Sequence, residues 1–315
     1  RKESSAASDV YKRQYLLYLF GCVGTGDWLA MGIVTVTQAA LLALTLWGIA
    51  RSFLKIATAT GSVKKVRFEH KAVRAQSAQR ALFGKELCRF TASPNYMLNC
   101  GLGILMLPVA GVVLLIKGGA LGQLLEDVFG ANAGVVPVLM CAAVCLLASM
   151  NDMAAPSVSL EGKSLWLAQS LPVVPWQVLR AKLDVQLVLT GAPVLFCALC
   201  MVIVLPGGAL EKVLTVVVAL LYTLLSALAA LAFGLKMPNL TWTNEITPIK
   251  QSGCVMLSLF ANWFYAIALG GLYFLCGRYL SAAAYLALAA AITATVCALL
   301  LRWVKQRGTR IFAAL

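Results

Sequence analysis

The residues able to do chemistry in this chain gather in three polar stretches. The richest is residues 156–172, PSVSLEGKSLWLAQSLP. Ser157 or Ser159 can cap a helix, Glu161 suits a first turn, and Pro172 stops the helix. Leu160, Leu167 and Leu171 recur at i, i+7 and i+11, with Trp166 beside that stripe. The spacing predicts one short helix over 159–171, lying parallel to a membrane surface. Glu161 and Lys163 flank Gly162, and this charge pair next to a large aromatic suits grip by a protein partner rather than bond making. The plainer reading of Trp166 is an interfacial anchor.

The second stretch, residues 236–251, carries Trp242, Asn244, Glu245 and Lys250, a polar and aromatic set unusual for a hairpin between apolar runs. Its Asn239-Leu240-Thr241 matches a glycosylation sequon by chance, because the segment falls on the basic side of the chain. In the third, residues 80–90, Leu82, Phe83, Leu87 and Phe90 share one side of a helix while Lys85 and Arg89 lie away from it. That pattern predicts a helix on the membrane surface with its cations at anionic headgroups. Glu86 intrudes on the apolar side, and Ser93-Pro94 breaks the helix before the next apolar run.

No catalytic set accompanies these stretches. His70 is the only histidine, so a histidine triad and a histidine-rich metal site are excluded. The chain has no G-x-x-x-x-G-K-[ST] and does not itself cradle nucleotide phosphates. Cys197 and Cys200 form a C-x-x-C inside an apolar run, with no second pair, and the ten cysteines are expected to act as small hydrophobes. Gly101, Gly103, Gly270 and Gly271 suit close helix contacts. The expectation is a protein without enzymatic activity, metal or cofactor of its own.

The elements that must position these stretches follow from composition. Of 315 residues 61% are hydrophobic and only 12% charged, against about 25% charged in a soluble domain. At about 20 residues per crossing, apolar runs at 29–50, 97–116, 134–150, 183–205, 213–235, 254–276 and 282–301 predict an all-α polytopic membrane protein. It has seven complete transmembrane helices plus one partial helix over 15–23. Lys and Arg fall on alternate connections: nineteen lie in 51–89, 163–182, 236–250 and 302–310, against only Lys117, Lys212 and Arg278 opposite. By the positive-inside rule the basic side and the C-terminus are cytoplasmic. The net charge of +14 is therefore read as loop charge and not as a nucleic-acid surface. No ionisable residue falls near the middle of an apolar run, and Asp184 sits at an edge, so the sequence offers no proton relay.

Residues 4–14, SSAASDVYKRQ, read like one frame of a sequencing adapter, and 1–14 are set aside as an artefact. On that reading the natural chain continues upstream of Tyr15.

Residues 155–173, APSVSLEGKSLWLAQSLPV, resemble the permease subunits of bacterial ABC exporters of the type-two class, in particular a family from Gram-positive anaerobes. FGKELCRFTASPNYMLNCGLG (83–103) and PNLTWTNEITPIKQS (238–252) carry the same resemblance. It implies a six-span permease half over 94–315. Residues 15–50 would be the last two spans of a preceding half, and 51–93 a basic linker ending in the surface helix. It implies a bacterial plasma-membrane location and an exported substrate of unknown identity. A separate ABC ATPase would hold ATP and Mg and push on 159–171, with Glu161 and Lys163 as its polar contacts and Trp166 as the buried anchor. It also implies either a second half or a homodimer. The short 276–281 connection lacks the external re-entrant hairpin of many relatives. A secondary ion-coupled carrier and a non-transporting scaffold or sensor are the alternatives.

Overall fold

The computed structural model describes residues 15–58, 76–129, 134–204, 208–277 and 279–315. The adapter-like 1–14, His70 with the middle of the basic linker, and Arg278 lie outside them. The chain divides into two units, Arg1–Val73 and Arg74–Leu315.

In the first unit α1 (Tyr15–Gly24) and α2 (Trp28–Ala57) are joined by a tight turn at Gly26, which takes a positive φ of 85°. Asp27 Oδ1 caps α2 by accepting from Leu29 N at 2.9 Å. Leu42, Leu44 and Trp47 are all exposed, and so much bare apolar surface requires lipid or another apolar partner.

The second unit runs α3 (Ala78–Ala92), α4 (Pro94–Cys100), α5 (Gly103–Phe129), α6 (Val135–Ala148), α7 (Ala154–Ser157), a 3₁₀ turn (Ser159–Ser164), α8 (Leu165–Ser170), α9 (Pro175–Val204), α10 (Ala209–Lys236), α11 (Ile246–Lys250), α12 (Gly253–Cys276) and α13 (Ala282–Trp303). A π turn (Val304–Gly308) leads into α14 (Thr309–Ala314). No strand is present among the described residues; a single bridge pairs Gly101 with Asn151. Serines start several helices. Ser77 Oγ accepts from Arg80 N, Ser93 Oγ from Tyr96 N with Pro94 in the first turn, and Ser281 Oγ from Ala284 N.

Among the described residues six helical stretches are long and apolar enough to cross a membrane: Trp28–Phe53, Gly103–Gly122, Pro175–Val204, Ala209–Lys236, Ile246–Cys276 and Ala282–Ala314. The seventh expected crossing, 134–150, yields a helix of only 14 residues, about 21 Å long at about 1.5 Å per residue. The hydrocarbon core is about 30 Å thick. Composition stays apolar to Met150, but the helix ends at Ala148 and the chain turns through Ser149 to Asp152 inside the protein. The run expected at 97–116 likewise starts later, at Gly103, because Pro94–Cys100 is a separate short helix.

Helix α6 is the axis of the first core, where Val138, Cys141 and Cys145 are fully buried with Leu107, Val194, Tyr222 and Leu286. A second core, of Ala154, Ala155, Val158, Leu179, Ala227, Leu231, Leu235 and Phe312, fills the end where α3, α7 and α14 gather. Helix α10 contributes to both. Its small residues Ala227, Ala230 and Gly234 let α7 approach closely, and a β-carbon on Gly234 would collide with the carbonyl oxygen of Ala155. That oxygen belongs to backbone and cannot rotate away. Gly234→Ala is therefore expected to destabilise by about 1–3 kcal/mol, the cost of overpacking a fitted contact. A thermal midpoint equal to that of the parent would show that α7 gives way.

Candidate functional site

The three polar stretches assemble into one plate, and buried charge holds it together. Lys182, in the third turn of α9, has a fully buried side chain. Its three donors are all used: Nζ donates to Glu161 Oε1 at 2.8 Å, to Glu86 Oε1 at 2.9 Å and to the Ser157 carbonyl at 3.0 Å. Glu161 also accepts from Arg89 Nη2 at 2.7 Å and from Lys85 Nζ at 3.0 Å. Three cations thus surround two carboxylates, drawn from α3, the 3₁₀ turn and α9. Burial alone would push the Glu161 carboxyl up, but Lys182 and Arg89 overcome it and hold that group far below the usual carboxylate range. Burial would likewise lower Arg89, and its bond to Glu161 with the charge of Glu86 outweighs it and raises the guanidinium.

Neutral bonds complete the plate. Gly162 takes a positive φ of 51° at the sharp turn after Glu161, with the Trp242 ring against it where a β-carbon would point. Trp242 Nε1 donates to the Ser159 carbonyl at 2.6 Å, and Asn239 N donates to Ser159 Oγ at 3.0 Å. Gln186 of α9 accepts from Ala154 N at 2.7 Å and donates to the Asn151 carbonyl at 3.1 Å. Asn244 Oδ1 accepts from Ile246 N at the start of α11, where Glu245 is half-buried and Lys250 exposed.

Several sequence expectations are corrected here. Residues 159–171 are not one helix: Gly162 breaks them into a 3₁₀ turn and α8, so the i, i+7, i+11 stripe loses its phase. Leu160 points in, Leu167 and Leu171 point out, and Leu165 and Ala168 form the inner face instead. Glu161 is not free to meet a partner, because cations of its own chain already occupy both oxygens. Trp166 is 65% exposed on this chain, so its burial as an anchor would have to come from a partner. Lys85 and Arg89 turn to Glu161 rather than to headgroups. Leu82 and Phe90 are buried against protein, Phe90 edge-on to Tyr96, while Phe83 and Leu87 are half-buried. The surface helix is thus a packed wall of the plate. Glu86 intrudes on its apolar side because Lys182, assigned from sequence to a loop, comes to meet it.

What projects from the plate is compact. Lys163, Trp166, Leu167, Leu171, Pro172 and Val174 are exposed together on and after α8. Leu165 and Ala168 seat the helix on the second core, and Gln169 Nε2 donates to the Phe312 carbonyl at 2.9 Å, tying it to α14.

Sequence reasoning missed a third buried carboxylate. Asp152 follows α6, and its Oδ1 accepts from Ser258 Oγ at 3.1 Å while its N–H donates to the Cys100 carbonyl. Asp152 Oδ2 and both amide atoms of the neighbouring Asn151 are buried without a hydrogen-bond partner. Burial pushes the Asp152 carboxyl up to about 7, against the opposing bond from Ser258. A polar pair directly after an apolar run was the available signal. All ten cysteines are free, and among the described residues no cluster suits a metal ion.

Two measurements test these environments. Glu161→Gln leaves Lys182 and Arg89 with Glu86 as their one remaining carboxylate and is expected to destabilise by about 3–5 kcal/mol, as when one partner of a buried pair is removed. An unchanged melting midpoint would mean that the cluster is solvated. For Asp152 the folded state keeps its proton up to about pH 7, whereas the unfolded chain releases it near pH 3.9. Between those values the unfolded state binds fewer protons, so stability falls as pH rises, by of order 4 kcal/mol, and is flat above the upper value. Asp152→Asn should remove that slope in a pH series of thermal melts; a parallel slope in the variant would place the titration elsewhere.

No family model, curated protein or solved structure matches this chain.

Proposed function

We propose that this chain is the membrane-spanning permease of an ABC exporter in the bacterial plasma membrane, with the plate on the cytoplasmic side. A separate ATPase subunit grips the projection at 163–174. The observation that carries this reading is the pairing of an exposed apolar knob with a rigid, charge-locked mount. Trp166, Leu167, Leu171 and Val174 are bare, yet the residues just before them are bonded to α3, α9 and the 237–250 link. Force applied to the knob would pass through Glu161 and Lys182 into α9 and through Ala155 into α10. Tilting of those helices is the rigid-body kind of switch that alternates access. Lys163, exposed beside Trp166, takes over the polar contact that sequence reasoning shared with Glu161. The type-two resemblance of residues 155–173 supports the same reading, and with it either a second permease half or a homodimer.

Asp152 favours a second reading, ion-coupled carriage, because a buried carboxyl that gains and loses a proton near neutral pH is what such carriers use.

Exposed residues can be changed without unfolding the mount. Trp166→Ala is expected to weaken retention of the co-expressed ATPase subunit by about thirtyfold, the loss of about 2 kcal/mol typical of an interface hot spot, at unchanged thermal midpoint. Labelling of a cysteine placed at residue 166 should require access from the cytoplasm. Full ATPase retention by Trp166→Ala, or labelling from outside in intact cells, would retire the proposal. Transport lost in Asp152→Asn while ATPase binding persists would favour the second reading.

A further inference from the structure

Helices α12 and α13 are joined by a short turn, yet a groove runs between them. Two cavities lie along it, of about 490 Å³ and about 310 Å³, sharing Tyr265 and Ala268 and so lying end to end. The larger is floored by α10, through Leu225, Ala229 and Phe233, and ends at Lys236 and Trp303. The smaller reaches Cys276 and Tyr285. Helix α12 has 24 residues, about 36 Å, so the groove follows the seam across most of the thickness of a hydrocarbon core of about 30 Å.

Its chemistry selects the occupant. The hydroxyls of Tyr265 and Thr293 bond each other at 2.7 Å, and Thr293 also donates to the Ala289 carbonyl. The waist of the groove therefore offers a polar solute little beyond the amide of Asn262, whose Nδ2 has no hydrogen-bond partner among the described residues, and the remaining walls are largely alanine, leucine and phenylalanine. Among the described residues Lys236 is the one charged residue lining either cavity. Its ammonium lies 5.3 Å from the Trp303 ring centre, a contact that leaves hydrogen-bond donors free. No carboxylate among the described residues pairs with it. An apolar trough with a single uncompensated cation at one end matches an amphiphile with one negative head and a long tail.

We propose that the α10–α12–α13 groove binds an anionic membrane phospholipid, with an acyl chain in the larger cavity and the phosphate at Lys236. The smaller cavity, without a cation, takes chains with no preference for the head. The site is independent of what the protein carries and of whether an ATPase drives it.

Native mass spectrometry of the full chain in detergent, titrated with phosphatidylglycerol or phosphatidylcholine of the same chain length, reads this directly. The parent is expected to retain the anionic lipid about fivefold better, the scale of one surface cation meeting an acidic head. Lys236→Gln should bring the two lipids level without lowering phosphatidylcholine retention. Lys212→Gln, which removes a cation outside the groove at the opposite end of α10, should leave the preference intact. Ala229→Leu, which fills the floor with a good helix former, should reduce retention of both lipids. Equal retention by the parent, a preference that survives Lys236→Gln, equal loss in Lys212→Gln, or undiminished binding by Ala229→Leu would each overturn the site. Matching thermal midpoints establish that the variants remain folded.

Discussion

The plate depends on one constraint: Glu161 is buried and ionised, so positive charge must come to it. An isolated carboxylate moved into a medium of low dielectric loses of order 20 kcal/mol of hydration on the idealised scale, and several even after relaxation. Lys182 and Arg89 lie 2.8 and 2.7 Å from its oxygens, while Lys85 at 3.0 Å stays partly in contact with solvent. The cluster thereby fixes α3 against α9 and the 3₁₀ turn between them. Helix α3 lies 72 to 96 residues from these partners in sequence, a separation that no local preference could bring into register. Ionic groups of this kind add little net stability over an apolar core, but leaving one unpaired is costly. Wrong packings of α3 on α9 are therefore penalised more than the right one is rewarded.

From that lock follows the contrast between mount and projection. Upstream of Gly162 nearly every residue from Asn151 is buried and bonded. Downstream, α8 rests on two apolar side chains, Leu165 and Ala168, and one hydrogen bond from the Gln169 amide to the Phe312 carbonyl. On the proposed reading this difference is what a lever requires: a stiff root that does not absorb displacement, and a face bare enough to be held. Gly162 separates the two, since its backbone conformation and the Trp242 ring against it admit no side chain.

The long apolar helices were legible because a chain without a polar face has few ways to fold: Trp28–Phe53 and Ala282–Trp303 fall where composition put them, and α9 ends there but starts eight residues earlier, at Pro175. The extent of α6 was not, since hydropathy does not register that Ser149 to Asp152 turn inward instead of continuing the helix. The inner face of 159–171 was misassigned for a related reason: a helical period holds only while backbone dihedrals repeat, and one glycine at positive φ resets it. Glu86 was the readable clue to the cluster, a charge where an amphipathic helix should have none. Its partner at residue 182 was hidden in the first turns of an apolar run that sequence alone starts one residue later.

Two carboxylates nine residues apart show how environment divides the work. Glu161 and Asp152 are equally buried, 3% and 4% exposed, so desolvation acts on both. Around Glu161 three cations reverse its effect and fix the charge. Around Asp152 the only hydrogen bond to the carboxylate among the described residues is from a neutral serine, Ser258, and no cation pairs with it there. Burial therefore prevails, and the group sits near its point of half-protonation. The permanent charge holds the plate to α9. The variable one lies where α6 ends and the plate begins, bonded to α12 through Ser258, so a proton gained or lost there changes the charge between the plate and the helices it would have to move.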